Sequence, residues 1–579
     1  MERRSWRQQA RLGGGGDRPA ARPRGGPGER DPSLVFRGCR ATLASRRSGR
    51  GVTRAPTAIG AGLAPARTPR PIQPGERIHV VGAAGAGASG AALLARAAGA
   101  IVDGCDLAPI SPYTVALAAE GIAVLEGHDP AHVTDGPRPD RLAVTKALTA
   151  VAPDHPELRA ARALRVPIEP WQQVVADAAV GRTLIGVAGT HGKSTTAGWL
   201  VHVLVAAGLD PSAFVGALLP ARVTGGAPAT ARVGAGPAFV VEADEYAGNF
   251  DAYRPALAIV TNAEWDHPDV FADRGAVVQA LAEWLEAAAS ASSSASAPPS
   301  APAPVLVANV ADPGVQDLVG RLGRWPGTVI ATAIVETSAQ RLAGYARGMA
   351  EQYATAGGPA RAVIGRIVRA DADGTTIEVT GLDAPIGEGS IRLLTAGRHN
   401  ASNALGVAAA ASVLDVPWPA LRDGLASFEG VGRRLERKGE AAGVVVYDDY
   451  GHHPTAIRET LRAVRQREPG RRVWAVYEPL TFHRTAALLD DFAAALGEAD
   501  GVAIADIWAG RDPDTTVATA RGLADAVAAV NPEAEVAAPG SVESTAAWLA
   551  DHVRTGDVVL VMGGGRSYRI GELLLERLA

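Results

Sequence analysis

The segment from Gly189 to Thr195 has the residue types of a phosphate-binding loop. It reads Gly189, Thr190, His191, Gly192, Lys193, Ser194 and Thr195, directly after a short apolar run. In such loops backbone N–H groups at a helix start bind phosphate, the lysine neutralises phosphate charge, and the following hydroxyl can bind Mg²⁺. The strict pattern has a glycine where this chain has Val187. Because the chain has only three lysines, one inside this turn favours ATP binding over a purely structural turn.

A second glycine-rich turn lies earlier in the chain, at 82–90. Gly85, Gly87 and Gly90 are spaced as G-x-G-x-x-G, and Asp103 and Asp106 follow about 20 residues on. The spacing permits a dinucleotide, but the diphosphate of a UDP-sugar suits the start of a helix equally well. A packing role for these glycines is the third interpretation.

Two acidic segments follow apolar runs downstream of the phosphate loop. The first is Glu242-Ala-Asp-Glu245-Tyr, and the second ends in Asp266-His267. Ligands usually bind where the strands of a parallel sheet end, and Mg²⁺ prefers carboxylate oxygens. We therefore expect Glu242 and His267 to bind metal, with Glu245 as the rival for the role of Glu242.

Two dense polar clusters follow, at 397–403 and 448–454. In the first, Asn400 could contact the nucleotide or could cap the long alanine-rich helix that begins there. In the second, the adjacent histidines could serve the site or form a surface pair.

Apolar runs alternate with helix-like stretches around these motifs. Runs at 78–81 and 184–187 each lead through a glycine-rich turn into an alanine-rich stretch. Further runs lie at 444–447, 473–477, 502–505 and 558–562. Strands that alternate with helices predict parallel α/β sheets.

Composition and charge limit the class of protein. The 579 residues are 47% hydrophobic and 20% charged, which predicts several globular domains and excludes wholesale disorder. The two cysteines are too few for a disulfide framework or a cysteine-rich zinc site. In the absence of a long apolar run or a signal-peptide pattern, we expect a cytoplasmic protein without a membrane partner.

The charge is distributed unevenly. Residues 1–75 carry 16 arginines against four acidic residues, so the remaining chain has a net charge of about -16. An acidic body argues against nucleic acid as a partner. We expect 1–75, rich in Arg, Gly and Pro, to be a disordered extension, and the Ala/Ser/Pro-rich stretch 287–304 to be a flexible insertion.

The motifs, taken in order, resemble those of the Mur ligases, ATP-dependent amide-forming enzymes of bacterial peptidoglycan synthesis. The resemblance covers 77–579. It rests on the 82–90 turn, GTHGKSTT at 189–196, EADEY at 242–246, GRHNASNA at 397–404, GVGRRLE at 430–436 and DDYGHHPT at 448–455. The sequences of these motifs most resemble those of the family members that add L-alanine to UDP-N-acetylmuramate.

The resemblance implies three α/β domains after the extension. A Rossmann-like domain at 76–182 would bind the UDP-sugar. A P-loop ATPase domain at 183–430 would bind ATP, and a Rossmann-like domain at 431–579 would bind the amino acid.

The resemblance also implies roles for single residues. Implied catalytic residues are Lys193, Glu242, His267, Arg434 and Asp449. Implied ATP contacts, besides the phosphate loop, are His399, Asn400 and Asn403. Implied metal ligands are Ser194, Glu242 and His267. Implied UDP-sugar contacts are Gly85, Gly87, Ser89, Gly90, Asp106 and His128. Implied amino-acid contacts are Tyr450, His452 and Arg484.

The implied reaction uses ATP and Mg²⁺. A carboxylate is a poor electrophile, so the family first transfers the γ-phosphoryl group to it, and an amine then displaces phosphate from the acyl phosphate. Closure of the three domains would assemble the site and exclude water.

One departure affects the predicted amino-acid site. The segment 477–485 keeps Arg484 and Thr485 but has Leu480 and Thr481 where the family usually has a His-Arg pair. The alternatives are a recycling ligase that adds a whole tripeptide, an NAD-dependent oxidoreductase built on the 82–90 turn, and a non-catalytic ATP-binding protein.

Overall fold

The computed structural model describes residues 59–292, 303–323, 325–336, 338–354, 360–382, 389–510, 512 and 514–579. Within these ranges the chain forms three β-sheets, each covered by helices. The predicted α/β class is confirmed. The part of the predicted extension at 1–58 lies outside the described residues.

The first sheet has five parallel strands in the order β3-β2-β1-β4-β5. Its strands are β1 Arg77–Val81, β2 Ile101–Asp106, β3 Val124–Glu126, β4 Arg141–Val144 and β5 Ile168–Pro170. Its helices are α1 Ala86–Ala97, α2 Thr114–Ala119, α3 Ala131–Thr134, α4 Lys146–Val151, α5 Pro156–Ala163 and α6 Trp171–Ala178.

The middle sheet has ten strands in the order β15-β14-β13-β12-β11-β10-β6-β9-β7-β8. Its strands are β6 Thr183–Ala188, β7 Ser212–Leu219, β8 Ala229–Arg232, β9 Ala238–Glu242, β10 Leu257–Val260, β11 Val305–Asn309, β12 Thr328–Val335, β13 Ala360–Asp371, β14 Gly374–Thr380 and β15 Gly389–Leu393. Its helices are α7 Lys193–Ala206, α8 Ala221–Thr224, α9 Arg274–Ser292, α10 Pro313–Arg321, α11 Ala339–Tyr353, α12 Arg398–Val413 and α13 Trp418–Ala426, with a 3₁₀ helix at Tyr246–Ala252. Neighbouring strands are parallel along the series β13, β12, β11, β10, β6, β9 and β7. Strand β8 pairs antiparallel with β7, and β14 pairs antiparallel with both β13 and β15.

The third sheet has six strands in the order β16-β17-β21-β18-β19-β20. Its strands are β16 Glu436–Ala441, β17 Val444–Asp449, β18 Val473–Glu478, β19 Gly501–Ala505, β20 Glu535–Gly540 and β21 Val558–Gly563. Its helices are α14 Pro454–Arg467, α15 Phe482–Ala487, α16 Leu489–Leu496, α17 Ala520–Val530, α18 Val542–His552 and α19 Tyr568–Leu578. Every strand pair is parallel except β16 with β17.

The central strands are continuous apolar runs because helices cover both faces of a parallel sheet. All residues of β17, β18, β19 and β21 are buried. The apolar runs in the sequence therefore predict these strands to within one or two residues, which is the usual uncertainty of strand ends.

The topology of the middle sheet brings the chemical motifs to one edge. Strand β6 lies between β10 and β9 and is parallel to both, with Val187 opposite Glu242 and Ala188 opposite Val260. The carboxyl ends of these three strands therefore lie side by side. The phosphate loop, the Glu242 carboxylate and the segment after Val260 emerge together at this edge.

Two predicted boundaries differ from the structure. Within 59–75, Arg67 forms ion pairs with Glu169 at 2.8 Å and Asp177 at 2.7 Å, so this segment packs on the first sheet and is not disordered. Helix α9 continues to Ser292, into the predicted insertion, because alanine is a strong helix former. Residues 293–302 lie outside the described residues.

Candidate active site

The phosphate loop joins the end of β6 to the start of α7. Gly192 caps the helix with a positive φ of 79°, a conformation that favours glycine. A Cβ atom on Gly192 would lie 2.8 Å from Asn403 Oδ1, so the amide side chain packs directly on the loop. The first backbone N–H groups of α7 have no partners within the helix and can bind an anion.

Lys193 lies at the centre of a buried acidic site. Its Nζ donates to Gly189 O at 2.6 Å and to Glu245 Oε2 at 2.9 Å, and Asp244 lies 3.8 Å away. Burial works to lower the pKa of Lys193, but the charges of Glu245 and Asp244 raise it above its usual value. The lysine is therefore held as a cation beside the loop.

Glu242 and Ser194 form the pair expected of a magnesium site. Ser194 Oγ donates to Glu242 Oε1 at 3.0 Å, and Gly216 N donates to Glu242 Oε2 at 2.6 Å. Neighbouring ligands of octahedral Mg²⁺ lie about 3.0 Å apart for bonds of about 2.1 Å. The two oxygens therefore have the spacing that Mg²⁺ requires.

Glu245 and His267 belong to a neighbouring group. Ligand atoms of Asp244, Glu245 and His267 lie within 4.8 Å of one another, which would suit a metal ion. Since Glu245 pairs with Lys193 whereas Glu242 contacts Ser194, the geometry favours Glu242 over its rival as the partner of the loop hydroxyl.

Asp266, beside His267, forms a buried ion pair with Arg484 of α15. Arg484 Nε donates to Asp266 Oδ1 at 2.8 Å, and Arg484 Nη2 lies 3.0 Å from His267 Nδ1. Burial works to raise the pKa of Asp266, but His267 and Arg484 hold it well below its usual range. His267 has a positive φ of 54°, which is unusual for a residue other than glycine.

A second group of contacts joins the middle sheet to the third. Thr455 Oγ1 donates to Glu264 Oε2 at 2.6 Å, and His453 Nε2 lies 3.1 Å from Trp265 O. The rings of His453 and His191 are 4.5 Å apart. Burial and the charge of His191 lower the pKa of His453 to about 4, so this histidine is neutral at pH 7.

The predicted nucleotide contacts lie on and near the start of α12. Asn400 Nδ2 donates to Ala396 O at 2.8 Å, and His399 lies 3.7 Å from Glu459. Both residues and Asn403 line the same cavity as the phosphate loop. The residue at the cap position of α12 is Gly397, and Asn400 is the third residue of the helix, so the predicted cap role of Asn400 is wrong.

Of the two predicted catalytic residues near β16 and β17, Arg434 reaches the phosphate loop, and Asp449, the last residue of β17, supports it. Arg434 Nη2 donates to Ser194 Oγ at 2.9 Å, and its guanidinium stacks 4.9 Å from the ring centre of Tyr450. Asp449 accepts from Leu435 N at 2.7 Å and Gly451 N at 2.6 Å. Both oxygens of Asp449 thus hold the backbone that carries Arg434 and Tyr450.

These groups enclose one cavity of about 440 Å³. Residues from all three sheets and their helices and loops line it. The first part contributes Gly87 and Trp171, the second contributes the phosphate loop with Glu242, Asp266 and His267, and the third contributes Arg434, Asp449, Tyr450, His452 and Leu480. The predicted catalytic, ATP, metal and most amino-acid residues are thereby brought together. Arg484 reaches the cavity through its contacts with Asp266 and His267.

Of the predicted UDP-sugar residues, only Gly87 lines this cavity. Asp106 accepts from Ala84 N at 3.1 Å and so supports the first part of the 82–90 segment. Gly85 is the N-cap of α1, so 86–90 are helical and the turn itself is shorter than predicted. Cβ atoms on Gly87 and Gly90 would clash with Trp171 and Phe214 respectively, so both glycines also serve packing. Ser89 is buried against Thr230, and His128 lies 3.3 Å from Cys105 Sγ.

Comparison with protein families matches three consecutive parts of the chain. Residues 77–183 match the Mur ligase family catalytic domain, 187–411 the Mur ligase middle domain, and 433–565 the Mur ligase glutamate ligase domain. The chain belongs to the Mur ligase family. This confirms the family resemblance found in the sequence motifs.

Curated relatives match most of this Mur ligase. The UDP-N-acetylmuramate–L-alanine ligase of Kineococcus radiotolerans is 38% identical over 504 residues, which is 87% of this chain and 96% of that protein. The enzyme of the same name from Gloeobacter violaceus is 35% identical over 510 residues, covering 88% and 97%.

Solved structures show the same fold. The UDP-N-acetylmuramate-alanine ligase of Thermotoga maritima matches with a TM-score of 0.65 and 23% identity, over 86% of this chain and 98% of that one. A murein peptide ligase from Psychrobacter arcticus matches with a TM-score of 0.61 and 24% identity, over 87% and 99%. At these identities the likeness concerns the fold.

Leu480 and Thr481, which stand where the family usually has a His-Arg pair, lie at or beside the cavity of this Mur ligase. Leu480 lines the cavity with Tyr450 and His452. Thr481, at a positive φ of 67°, precedes α15, which carries Arg484. Leu480 therefore forms part of one wall of the cavity and Thr481 the entry into α15, while Arg484 contacts Asp266 and His267.

Sequence reasoning did not assign Asp266, Glu264 or Asp244. The partners of Asp266 and Glu264 lie 218 and 191 positions away along the chain, so no local pattern identifies these two pairs. The available signal was their position just after β9 or β10, at the edge of a parallel sheet where ligands bind.

Proposed function

We propose that this Mur ligase uses ATP to join L-alanine to the carboxylate of UDP-N-acetylmuramate, in peptidoglycan synthesis. The observation that carries the proposal is the single cavity where the phosphate loop, the Glu242 carboxylate and the Tyr450–His452 segment meet. The 35–38% identity to curated L-alanine ligases over most of both chains supports it.

The reaction needs activation because direct attack on a carboxylate would have to expel oxide. A carboxylate oxygen attacks the γ-phosphorus of ATP, the bond to the β-phosphate oxygen breaks, and ADP leaves. The amine then attacks the acyl phosphate, loses a proton and displaces inorganic phosphate. The products are the amide, ADP and phosphate.

Lys193 is the residue we assign to the transferred phosphoryl group. Its ammonium lies beside the loop and, in the described structure, pairs with Glu245 at 2.9 Å. Phosphate oxygens would take the place of that carboxylate when ATP binds. A cation fixed there stabilises the charge that develops during transfer. Gly189, Thr190, His191, Gly192 and Thr195 would supply the surrounding loop contacts.

Ser194 and Glu242 are the residues we assign to Mg²⁺, because their oxygens are 3.0 Å apart. His267, close to Asp244, is our assignment for a further metal ion. A bound Mg²⁺ supplies positive charge that neutralises the phosphates. Arg434, 2.9 Å from Ser194 Oγ, would donate to the phosphates from the opposite side.

The remaining roles follow the position of each residue around the cavity. We assign His399, Asn400 and Asn403 to the nucleotide, and Tyr450, His452 and Arg484 to the amino acid. Asp449 acts as a positioning residue through its two backbone contacts. We assign Gly85, Gly87, Ser89, Gly90, Asp106 and His128 to the UDP-sugar domain.

We extend the first domain, predicted at 76–182, to include 59–75, which pairs with it through Arg67. The domain boundaries 183–430 and 431–579 remain part of this proposal. So does a cytoplasmic location, where ATP and UDP-sugars are available, with small molecules rather than nucleic acid or membrane as partners. Among the described helices, none is long and apolar enough to cross a bilayer. Family membership removes the oxidoreductase alternative.

A panel of amine substrates tests the proposal. Purified protein is incubated with UDP-N-acetylmuramate, ATP and Mg²⁺, together with L-alanine, glycine, L-serine or the tripeptide of the recycling ligases. We expect release of phosphate to be fastest with L-alanine, matched by formation of the amide. Release with the tripeptide alone would identify a recycling ligase, and release with none would overturn the ligase assignment.

A further inference from the structure

A cluster of metal-binding side chains lies in the first sheet, and none of its members lines the ATP cavity. The histidine–cysteine cluster consists of His79 in β1, Cys105 in β2, His132 in α3 and Glu157 in α5. His79, Cys105 and Glu157 are each at most 1% exposed. The cluster therefore joins four separate elements within the interior of the first domain.

The ligand atoms converge on the Glu157 carboxylate. Cys105 Sγ lies 3.1 Å from both Glu157 oxygens, and His132 Nδ1 lies 2.8 Å from Oε1. His79 Nε2 lies 3.8 Å from Oε2. In a zinc tetrahedron with bonds of about 2.0–2.3 Å the ligand atoms are about 3.3–3.5 Å apart. The distances of 2.8, 3.1 and 3.8 Å between these ligand atoms bracket the spacing of a zinc tetrahedron.

One buried nitrogen in the cluster makes no hydrogen bond. His79 is 1% exposed, and its Nε2 forms no hydrogen bond with the described residues, although Glu157 Oε2 lies 3.8 Å away. Its other nitrogen, Nδ1, is held by Asp103 Oδ1 at 2.6 Å. A carboxylate that binds one histidine nitrogen and so directs the other inward is typical of metal-binding histidines. Buried polar atoms are rarely left unpaired, so this nitrogen indicates a missing ligand.

The charges of the cluster match a divalent cation. A Cys105 thiolate and the Glu157 carboxylate carry two negative charges, and two neutral histidines complete four ligands. Sulfur and imidazole ligands select zinc over magnesium or calcium. We propose that His79, Cys105, His132 and Glu157 bind one structural Zn²⁺ ion. On binding, the Cys105 thiol loses its proton to solvent, and no oxidation or reduction is involved.

The site lies beside the 82–90 turn. Cys105 O accepts from Gly82 N at 2.9 Å and from Ala83 N at 3.0 Å. A metal ion bound to the Cys105 side chain would therefore stabilise the strand end that holds this turn. Two further histidines lie beside the cluster. His128 Nδ1 is 3.3 Å from Cys105 Sγ, and the ring of His155 meets that of His128 edge-on, with 4.5 Å between the ring centres.

Cobalt substitution tests the proposal on the full chain. Protein freed of metal by a chelator is titrated with Co²⁺ in the presence of excess Mg²⁺, which occupies the ATP site. We expect one equivalent of Co²⁺ to produce a thiolate-to-cobalt charge-transfer band together with the visible bands of tetrahedral Co²⁺. Added Zn²⁺ should abolish both. A folded wild-type protein without the charge-transfer band would overturn the proposal, whatever its ligase activity.

The two cysteines of the chain provide a matched pair of variants. Cys105→Ser should remove the charge-transfer band, whereas Cys39→Ser should retain it. A band that persists in Cys105→Ser, or disappears in Cys39→Ser, would contradict the assignment.

A milder variant covers the case in which Cys105→Ser does not fold. Asp103 has a half-exposed side chain and touches the cluster only through His79. Asp103→Asn should weaken Co²⁺ binding about 10–100-fold, as loss of a histidine-orienting carboxylate does. Unchanged affinity would contradict the role of His79 as a ligand.

Discussion

Arg434 Nη2 lies 2.9 Å from Ser194 Oγ, although the two residues are 240 positions apart. Ser194 follows the phosphate-loop lysine, whereas Arg434 directly precedes the third sheet. Ser194 Oγ also donates to Glu242, so the hydroxyl accepts from one side and donates to the other. The phosphate loop is thus linked to the domain proposed to bind the amino acid.

We expect Arg434→Ala to lower kcat about 100-fold or more, because it removes a charge-assisted donor from the transferring phosphates. The KM for L-alanine should change little. Kinetics by phosphate release measure both. Arg437→Ala is the matched control, since Arg437 is half-exposed and pairs with Glu440. Equal kcat in the two variants would contradict a catalytic role for Arg434.

Lys193→Gln tests the phosphate loop itself. We expect a loss of at least about 100-fold in ATP-dependent amide formation, since the variant keeps similar size but loses the cation. Lys438→Gln, a lysine paired with Glu436 at 3.2 Å, is the control and should remain active. Unchanged turnover of Lys193→Gln would reject the role assigned to Lys193.

Glu242 and Glu245 can be separated by their dependence on Mg²⁺. Glu242→Gln removes a hard anionic ligand beside Ser194, so we expect the Mg²⁺ concentration for half-maximal rate to rise about tenfold or more. Glu245→Gln removes the ion-pair partner of Lys193 and should affect thermal stability more than the Mg²⁺ requirement. The reverse result would assign the metal to Glu245.

Much of the fold could be predicted from local patterns. The runs at 473–477 and 558–562 are wholly buried strands, and such strands need no alternation of polar and apolar residues. Segment 59–75 was missed because it has no periodicity. It is held by Arg67, whose partners Glu169 and Asp177 lie 102 and 110 positions away.

The residues of the site could be predicted from their motifs, but the contacts between their side chains could not. Lys193 and Glu242 stand in recognisable segments, whereas their partners depend on which strands are neighbours. The contacts of Glu245 with Lys193 and of Asp266 with Arg484 follow from sheet order and from the approach of the third domain. Neither is encoded in local spacing.

The buried pair of Asp266 and Arg484 should be important for stability. Both side chains are 3% exposed, so Asp266→Asn leaves a buried arginine without its counter-charge, at a cost of about 3–5 kcal/mol. We expect a clear fall in the thermal midpoint. Disruption of the more exposed pair Arg462–Glu459 by Arg462→Ala should cost less than about 1 kcal/mol. Similar effects in both variants would contradict the buried pair's importance.

His453 should make stability depend on pH. Thr455 N donates to its Nδ1 at 3.3 Å and Nε2 faces Trp265 O at 3.1 Å, so a second ring proton would disrupt a native contact. Burial accordingly lowers its pKa from 6.5 to about 4. Between these values the unfolded chain binds a proton that the folded one does not, and stability therefore falls as pH decreases from 6.5 to 4.

The contribution of His453 amounts to about 3 kcal/mol over that interval, since each pKa unit corresponds to about 1.4 kcal/mol. His453→Gln should flatten the slope of the thermal midpoint against pH in this range, because the variant has no titrating ring. His483→Gln alters a histidine whose side chain is 43% exposed and should leave the slope as in the wild type. A wild-type slope in His453→Gln would show that other groups cause the loss of stability in acid. Glu264 is not one of them in this range, because His191 and Thr455 lower its pKa to about 2 and it acts only at more acidic pH.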